Sequence, residues 1–261
     1  MSRGARLELR GVGKRFPVPG GETVAVEAVD LIAEPGEFVA VIGPSGCGKS
    51  TLFRILSGLD EPTTGELLID DEPVVRPLGR CALMPQRDAL LAWRRVIDNV
   101  TIGPELAGRS KKDARAEALP LLERFGLGEF ARAWPWQLSG GMRQRAAFLR
   151  TVLLGRPAML LDEPFGALDG ITRGDLQRWL LDVWAEVGST VVLITHDVTE
   201  AVVLADRVYV MSGRPGHIAE IVPVDLPRPR PEGIEETPKF AAHEATLRRA
   251  LRAAATPGAT V

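Results

Sequence analysis

Cysteine is almost missing from this chain: Cys47 and Cys81 are the two in 261 residues. Two cysteines make no disulfide framework. Cys47 falls inside a glycine-rich turn that a cross-link would obstruct, so a reduced, cytosolic compartment is expected. No apolar run approaches the roughly 18 residues that a membrane-spanning helix needs, so any work at a membrane must go through a partner. The first residues, Met1 to Arg6, are basic, but Leu7-Glu-Leu-Arg10 alternates like a strand and lacks a signal-peptide core. Charge of one sign is not in excess. With 32 Lys+Arg against 34 Asp+Glu, the net charge of −2 leaves no basic field to argue for nucleic acid. Internal repeats are absent. The remaining composition, 45% hydrophobic and 25% charged, fits an ordinary globular chain with room for one large α/β domain or two small ones.

What is present is a strand, a glycine loop and a helix in immediate succession. Phe38 to Ile42 is an apolar run with the look of a buried strand. It breaks into Gly43-Pro44-Ser45-Gly46-Cys47-Gly48-Lys49-Ser50-Thr51, followed by Leu52, Phe53, Ile55 and Leu56 at helical spacing. The loop fits G-x-x-x-x-G-K-[ST], in the strand-to-helix context that the phosphate-binding motif requires. Glycines let successive backbone N–H groups curl toward an anion, and the helix N-terminus adds partial positive charge. Lys49 can reach β- and γ-phosphates, and the Ser50 hydroxyl can ligate Mg²⁺. A plain glycine turn before a helix is the bland alternative, and the Lys-Ser-Thr sequence argues against it.

Along the chain, residues 5–12 suggest an edge strand, and Val24 to Ile32 a second strand ended by the Glu34-Pro-Gly36 turn. Thr63 to Ile69 suggests a turn and strand, and Cys81 to Gln86 a short buried strand ending on a polar residue. From residue 88 to about 152 strand patterns vanish and helical periodicity takes over, at Val96–Ile102, Lys111–Phe125 and Gly141–Leu154. Strands resume at Met159–Leu161, Thr190–Ile194 and Arg207–Met211, with helices at Asp175–Val187 and Val198–Ala205. Continuous apolar strands alternating with helices predict a mainly parallel sheet buried on both faces. The stretch 88–152 is then a helical insertion within residues 1–225. Residues 226–261 stand apart: Leu226-Pro-Arg-Pro-Arg-Pro231 is extended and linker-like. Phe240, Leu247 and Leu251 then mark a terminal helix packed on the body.

Polar residues cluster at the C-terminal ends of the predicted strands, where ligands bind in open parallel sheets. Gln86 ends one strand, Asp162-Glu163 a second, His196 a third. Asp162 is placed to hold Mg²⁺ directly or through water, and Glu163 to polarise an attacking water. His196 can hydrogen-bond a γ-phosphate, and Gln86 can coordinate the cation or the water. A solvated loop or a structural histidine would be the plain alternatives. A second anion device lies at Leu138-Ser139-Gly140-Gly141-Met142-Arg143-Gln144-Arg145. There Ser139 caps a helix whose glycines allow close backbone approach. Two phosphate devices but one P-loop suggest a dimer in which each copy completes the other's site.

These segments together resemble the ATP-binding subunits of ABC transporters, over residues 6–225. Gly43–Thr51 is similar to Walker A, Gln86 to the Q-loop, Leu138–Arg145 to the family signature and Met159–Glu163 to Walker B. Phe165-Gly-Ala-Leu-Asp169 resembles the D-loop and Thr195-His196-Asp197 the switch histidine. The resemblance implies an α/β P-loop NTPase with a RecA-like core, an N-terminal antiparallel β-subdomain and an inserted helical subdomain. It implies a head-to-tail dimer holding two ATP, with Ser50, Gln86 and Asp162 on Mg²⁺, and Glu163 as base with His196 on the γ-phosphate. Ser139, Gly140, Gly141 and Asp169 would belong to the composite site. Phe16 takes the place where such proteins put an aromatic, usually Tyr, against adenine. A finer resemblance, through Ala92–Val100, Phe165–Asp169 and Met211–His217, is to importers of nitrate, taurine and alkanesulfonates. Phe148-Leu-Arg-Thr-Val152 leans toward carriers of thiamine pyrimidine precursors. The implied partners are a second copy, a permease docking on residues 87–100 through Leu90, Leu91, Trp93 and Val96, and, indirectly, a periplasmic or lipid-anchored solute-binding protein. The place of work is the cytoplasmic face of the membrane. The rival readings are a soluble, non-transport ABC ATPase, which predicts a long coiled-coil insertion or two nucleotide domains, and a P-loop kinase or GTPase, which does not need the Leu-Ser-Gly-Gly helix.

Overall fold

A computed structural model describes residues 4–166, 168 and 170–255. In chain order, the N-terminal half holds β1 (Leu7–Val18), β2 (Gly21–Ala33), β3 (Phe38–Ile42), α1 (Lys49–Leu56), β4 (Thr64–Ile69), β5 (Glu72–Pro73) and β6 (Cys81–Met84). Four helices follow, α2 (Val96–Val100), α3 (Ile102–Leu106), α4 (Lys111–Arg124) and α5 (Gly140–Val152). The rest comprises β7 (Ala158–Asp162), α6 (Gly170–Val187), β8 (Thr190–Ile194), α7 (Val198–Leu204), β9 (Arg207–Met211), β10 (Ile218–Pro223) and α8 (Pro238–Ala255).

The strands form two sheets, one antiparallel in the order β2-β1-β4-β5 and one in the order β10-β9-β3-β8-β7-β6. In the second sheet every pairing is parallel except that of β10 with β9. The five residues of β3 are all buried, and they alternate between two cores. Phe38, Ala40 and Ile42 join the cluster made with the helices, while Val39 and Val41 join Leu7, Leu9, Leu31 and α1 beneath the antiparallel sheet. A strand packed on both faces needs apolar residues throughout, which is why its run is continuous.

Three expectations are corrected. The first strand is not an edge: Leu7 pairs with Ala33 on one side and with Ile69 on the other. The pattern at Val96–Ile102 is two short helices, since Pro104 in a continuous helix would clash with the Val100 carbonyl. The Pro/Arg stretch is no free linker. Arg228 donates to Asp206 and to the Leu204 carbonyl, and Arg230 to the carbonyls of Val203, Ala205 and Leu226. Beyond it, Phe240, Leu247 and Ala250 of α8 sit in the same core as the parallel sheet.

Candidate ATP site

The phosphate loop leaves β3 at Ile42 and enters α1 at Lys49. Gly48 has φ of +98°, and a Cβ there would lie 2.3 Å from the Val26 side chain, so the last turn of the loop demands glycine. Lys49 is buried and folded back on its own loop: Nζ donates to the carbonyls of Gly43 (2.7 Å) and Pro44 (3.0 Å) and lies 3.6 Å from Cys47 Sγ. An ammonium held by two neutral carbonyls is ready for exchange onto phosphate oxygens, a stronger charged partner.

The loop forms one wall of a cleft of about 710 Å³. Ser45, Gly46, Gly48, Lys49, Ser50 and Thr51 line its phosphate side; Phe16, Thr23, Val24 and Ala25 line another part. Phe16 is therefore a partly exposed cleft residue rather than a core one. Gln86, Glu163 and His196 reach the same cleft from the ends of β6, β7 and β8. They converge on one carboxylate: Gln86 Nε2 donates to Glu163 Oε2 at 2.9 Å, and His196 Nδ1 lies 3.4 Å from Glu163 Oε1. Glu163 has φ of +45°, in the left-handed region that a non-glycine residue rarely occupies, and its N–H is fixed to the Ile194 carbonyl at 2.9 Å. Such strain is found where a side chain must be aimed. Next to it, burial and then the Glu163 charge push the Asp162 carboxyl above its ordinary range, while Lys49 pulls it down. A cation near Asp162 would relieve that penalty. Among the described residues no three His, Cys, Asp or Glu side chains form a metal cluster. Ser50 and Gln86 line the cleft, and Asp162 ends β7 beside Glu163. Oxygen donors of this kind would suit Mg²⁺, an ion commonly held by one or two carboxylates with substrate phosphates completing its shell.

The signature residues are elsewhere in the same copy. Ser139 accepts from Met142 N at 3.3 Å and caps α5, and Ser139 and Gly140 face solvent outside the cleft lining. Asp169 lies outside the described residues. Sequence reasoning missed three things. Arg214 lines the cleft, and so do Thr23, Val24 and Ala25, whose strand pattern carries no chemical signal. The third is a link between the Gln86 loop and the signature helix, in which Arg143 Nε donates to Asp88 at 3.0 Å. Of the residues offered for a permease, Trp93 is 74% exposed, but Val96 is fully buried and belongs to the core. Asn99 holds the Trp93 loop through bonds to Leu91, Arg94 and Arg95.

Residues 26–166, more than half of the chain, match the ABC transporter family. This chain belongs to the ABC transporter family. Among its relatives is an aliphatic sulfonates import ATP-binding protein, SsuB 2 of Pseudomonas aeruginosa. It is 47% identical over 233 residues, 89% of this chain and 81% of the relative. The nitrate import ATP-binding protein NrtD of Synechococcus elongatus is 44% identical over 236 residues, 88% of this chain and 85% of its own length. A solved ATP-binding cassette, dimeric, in a post-hydrolysis state and bound to ADP and Pi, superimposes with a TM-score of 0.75. It shares 30% identity and covers 84% of this chain and 99% of its own. The ABC subunit described here is thus an ATP-hydrolysing transporter component on a P-loop fold. Among its described residues no helix is long and apolar enough to cross a membrane.

Proposed function

We propose that this subunit powers import of a small solute by closing on ATP as a head-to-tail dimer and reopening after hydrolysis. The observation that carries the reading is the convergence of Gln86 and His196 on the Glu163 carboxylate in the cleft that also holds Lys49. In the closed state Lys49 and the loop amides of residues 43–51 bind phosphate, and Phe16 stacks on adenine. Ser139, Gly140 and Gly141 of the second copy, together with Asp169, close the site. Mg²⁺, held by Ser50, Gln86 and Asp162, would neutralise charge on the β- and γ-phosphates. Glu163 accepts the proton of the attacking water, with Gln86 and His196 orienting its carboxylate; His196 then hydrogen-bonds the γ-phosphate. The solvent-facing Ser139 and Gly140 suit a partner supplied by a second copy. Exposed Trp93, on the loop after Gln86, suits a permease contact within residues 87–100. The subunit then works peripherally, on the cytoplasmic face. The solute is an alkanesulfonate, nitrate or similar oxyanion delivered by a solute-binding protein; the names of relatives at 44–47% identity support that class.

Glu163→Gln tests the mechanism. The variant keeps the side-chain shape, so it binds ATP, loses hydrolysis by about 10²–10⁴-fold, the usual worth of a general base, and accumulates as an ATP-bound dimer in light scattering. Normal turnover, or a monomer at saturating ATP, refutes the proposal.

A further inference from the structure

The turn from Ser212 to His217, between β9 and β10, has been given no chemical role above. It is nevertheless tightly built into the cleft. Ser212 N donates to the His217 carbonyl at 2.9 Å, and the Ser212 hydroxyl lies 2.8 Å from His217 Nδ1. The turn is also stitched to both of its neighbours. Gly216 N donates to the Ala25 carbonyl at 3.0 Å, and Glu27 N to the Gly216 carbonyl at 2.8 Å. A Cβ on Gly216 would lie 1.8 Å from the Cys47 carbonyl oxygen, so only glycine lets this turn touch the phosphate loop. From that anchored turn Arg214 reaches over the loop. Its Nε donates to the Gly46 carbonyl at 2.8 Å, and its side chain lines the cleft.

We propose that Arg214 is a nucleotide-contacting residue that binds the phosphates shared by ATP and ADP; this rests on the cleft being the ATP site. A guanidinium carries five N–H donors, and the Gly46 bond uses one of them. The fork that remains matches phosphate oxygens in pairs. The Gly46 bond holds the fork over the loop before ligand arrives, which lowers the ordering cost of binding.

Sheet order decides which phosphates it meets. The order β9-β3-β8-β7-β6 puts the strand before Arg214 on one flank of the P-loop strand. Glu163, His196 and Gln86 follow strands on the other flank. The reactive γ-phosphate belongs with that second group. Arg214 sits where the loop meets Ala25 and the Phe16 side of the cleft, so it faces the α- and β-phosphates.

The test titrates the full chain with MgATP and with MgADP by calorimetry, at several salt concentrations, for the parent, Arg214→Gln and Arg214→Lys. Thermal melts verify that each variant is folded. Arg214→Gln weakens both nucleotides by about tenfold, the scale of one charge-assisted contact, and makes affinity less sensitive to salt. Arg214→Lys keeps the charge and recovers part of the loss. Affinity of Arg214→Gln within about twofold of the parent overturns the proposal. So does a loss confined to ATP, or an equal loss in the Lys variant with unchanged salt sensitivity, which assigns Arg214 to holding the loop. A parent chain that binds neither nucleotide would instead refute the ATP-site reading itself.

Discussion

Asp162 and Glu163 are adjacent carboxylates with different surroundings, and their roles follow from that difference. Glu163 points its carboxylate at Gln86 and His196 in the cleft. Asp162 ends β7 in a half-buried position where burial and the Glu163 charge raise its pKa. An acid whose pKa is raised on folding binds its proton more tightly in the native state. Stability linked to Asp162 is therefore present at low pH and is lost as pH rises through the ordinary carboxylate range toward the raised value. Asp162→Asn removes the neutral-pH penalty. The nucleotide-free variant melts higher than the parent at pH 7, by about 1–2 °C, and the difference vanishes at acid pH, while Mg²⁺-dependent hydrolysis is lost. A lower melting temperature at pH 7 would show that Asp162 is stabilised, not strained, by its site. Both residues were legible in the sequence because strand, loop and chemistry are contiguous there. Arg214 was not. It meets Gly46 across 168 residues of chain, and only the sheet that places β9 beside β3 brings the two together.

The same contrast between local and distant information holds for elements. Strands β3, β8 and β9 were readable to the residue because each carries four or five consecutive apolar residues buried on both faces, opened by Thr190 in β8 and Arg207 in β9. Strand β10 was missed: it is an edge strand, ends in Pro223 and has mostly exposed or partly exposed residues. Pairing partners are also not written in a strand, which is why β1 was placed at an edge when it lies between β2 and β4. The arginines of the Pro/Arg stretch look like a solvated linker until helix α7 is seen. Its last carbonyls, at the negative end of the helix, accept from Arg228 and Arg230. Burial and the Arg228 charge lower the Arg230 pKa to about 10, so burying it is costly and its carbonyl partners offset that cost. On the side of α7, Thr199 bonds Glu244 of α8. Helix α7 begins just after His196, so this clasp braces the helix that follows that residue. Arg230→Met keeps the apolar stem but strips the carbonyls of their donor. It costs about 2 kcal/mol, on the scale of buried carbonyls left unsatisfied, and lowers the melting temperature by about 5 °C for a chain of this size. A melt within a degree of the parent would mean that the clasp is ornamental.

At the scale of the whole molecule the cleft is one-sided. Its lining comes from the P-loop, the β1–β2 hairpin, the ends of the parallel strands and Arg214, while Ser139 caps α5 and Gly140 opens it outside the cleft, both facing solvent. A head-to-tail pair corrects this by symmetry: each ATP would see the loop of one copy and the signature of the other. The two parts can be broken on separate chains. Lys49→Ala disables the loop. Gly140→Asp disables the signature without harm to the fold. Nothing but a terminal Arg143 nitrogen, at 4.0 Å, lies near a Cβ built on Gly140, and an acid in the first turn of α5 suits the helix N-terminus while repelling phosphate. Each variant alone has two defective sites per dimer and does not hydrolyse ATP. When they are mixed, half of the dimers are mixed pairs. Each of those has one intact site, made from the loop of the Gly140→Asp copy and the signature of the Lys49→Ala copy. If that site turns over on its own, an equimolar mixture recovers about a quarter of parental ATPase activity per chain. Recovery should rise with protein concentration, because the pair must assemble. Activity in Gly140→Asp alone would show that the site works without the signature, and activity in Lys49→Ala alone that the loop lysine is dispensable. A mixture as inert as its components, with mixed dimers verified by co-purification through a tag on one variant, would mean that the two sites turn over only together or that the signature does not reach the partner's ATP. A mixed dimer of Gly140→Asp with the parent separates these: loss of all its activity assigns obligatory coupling, and loss of half, beside an inert variant mixture, assigns each signature to its own copy's ATP.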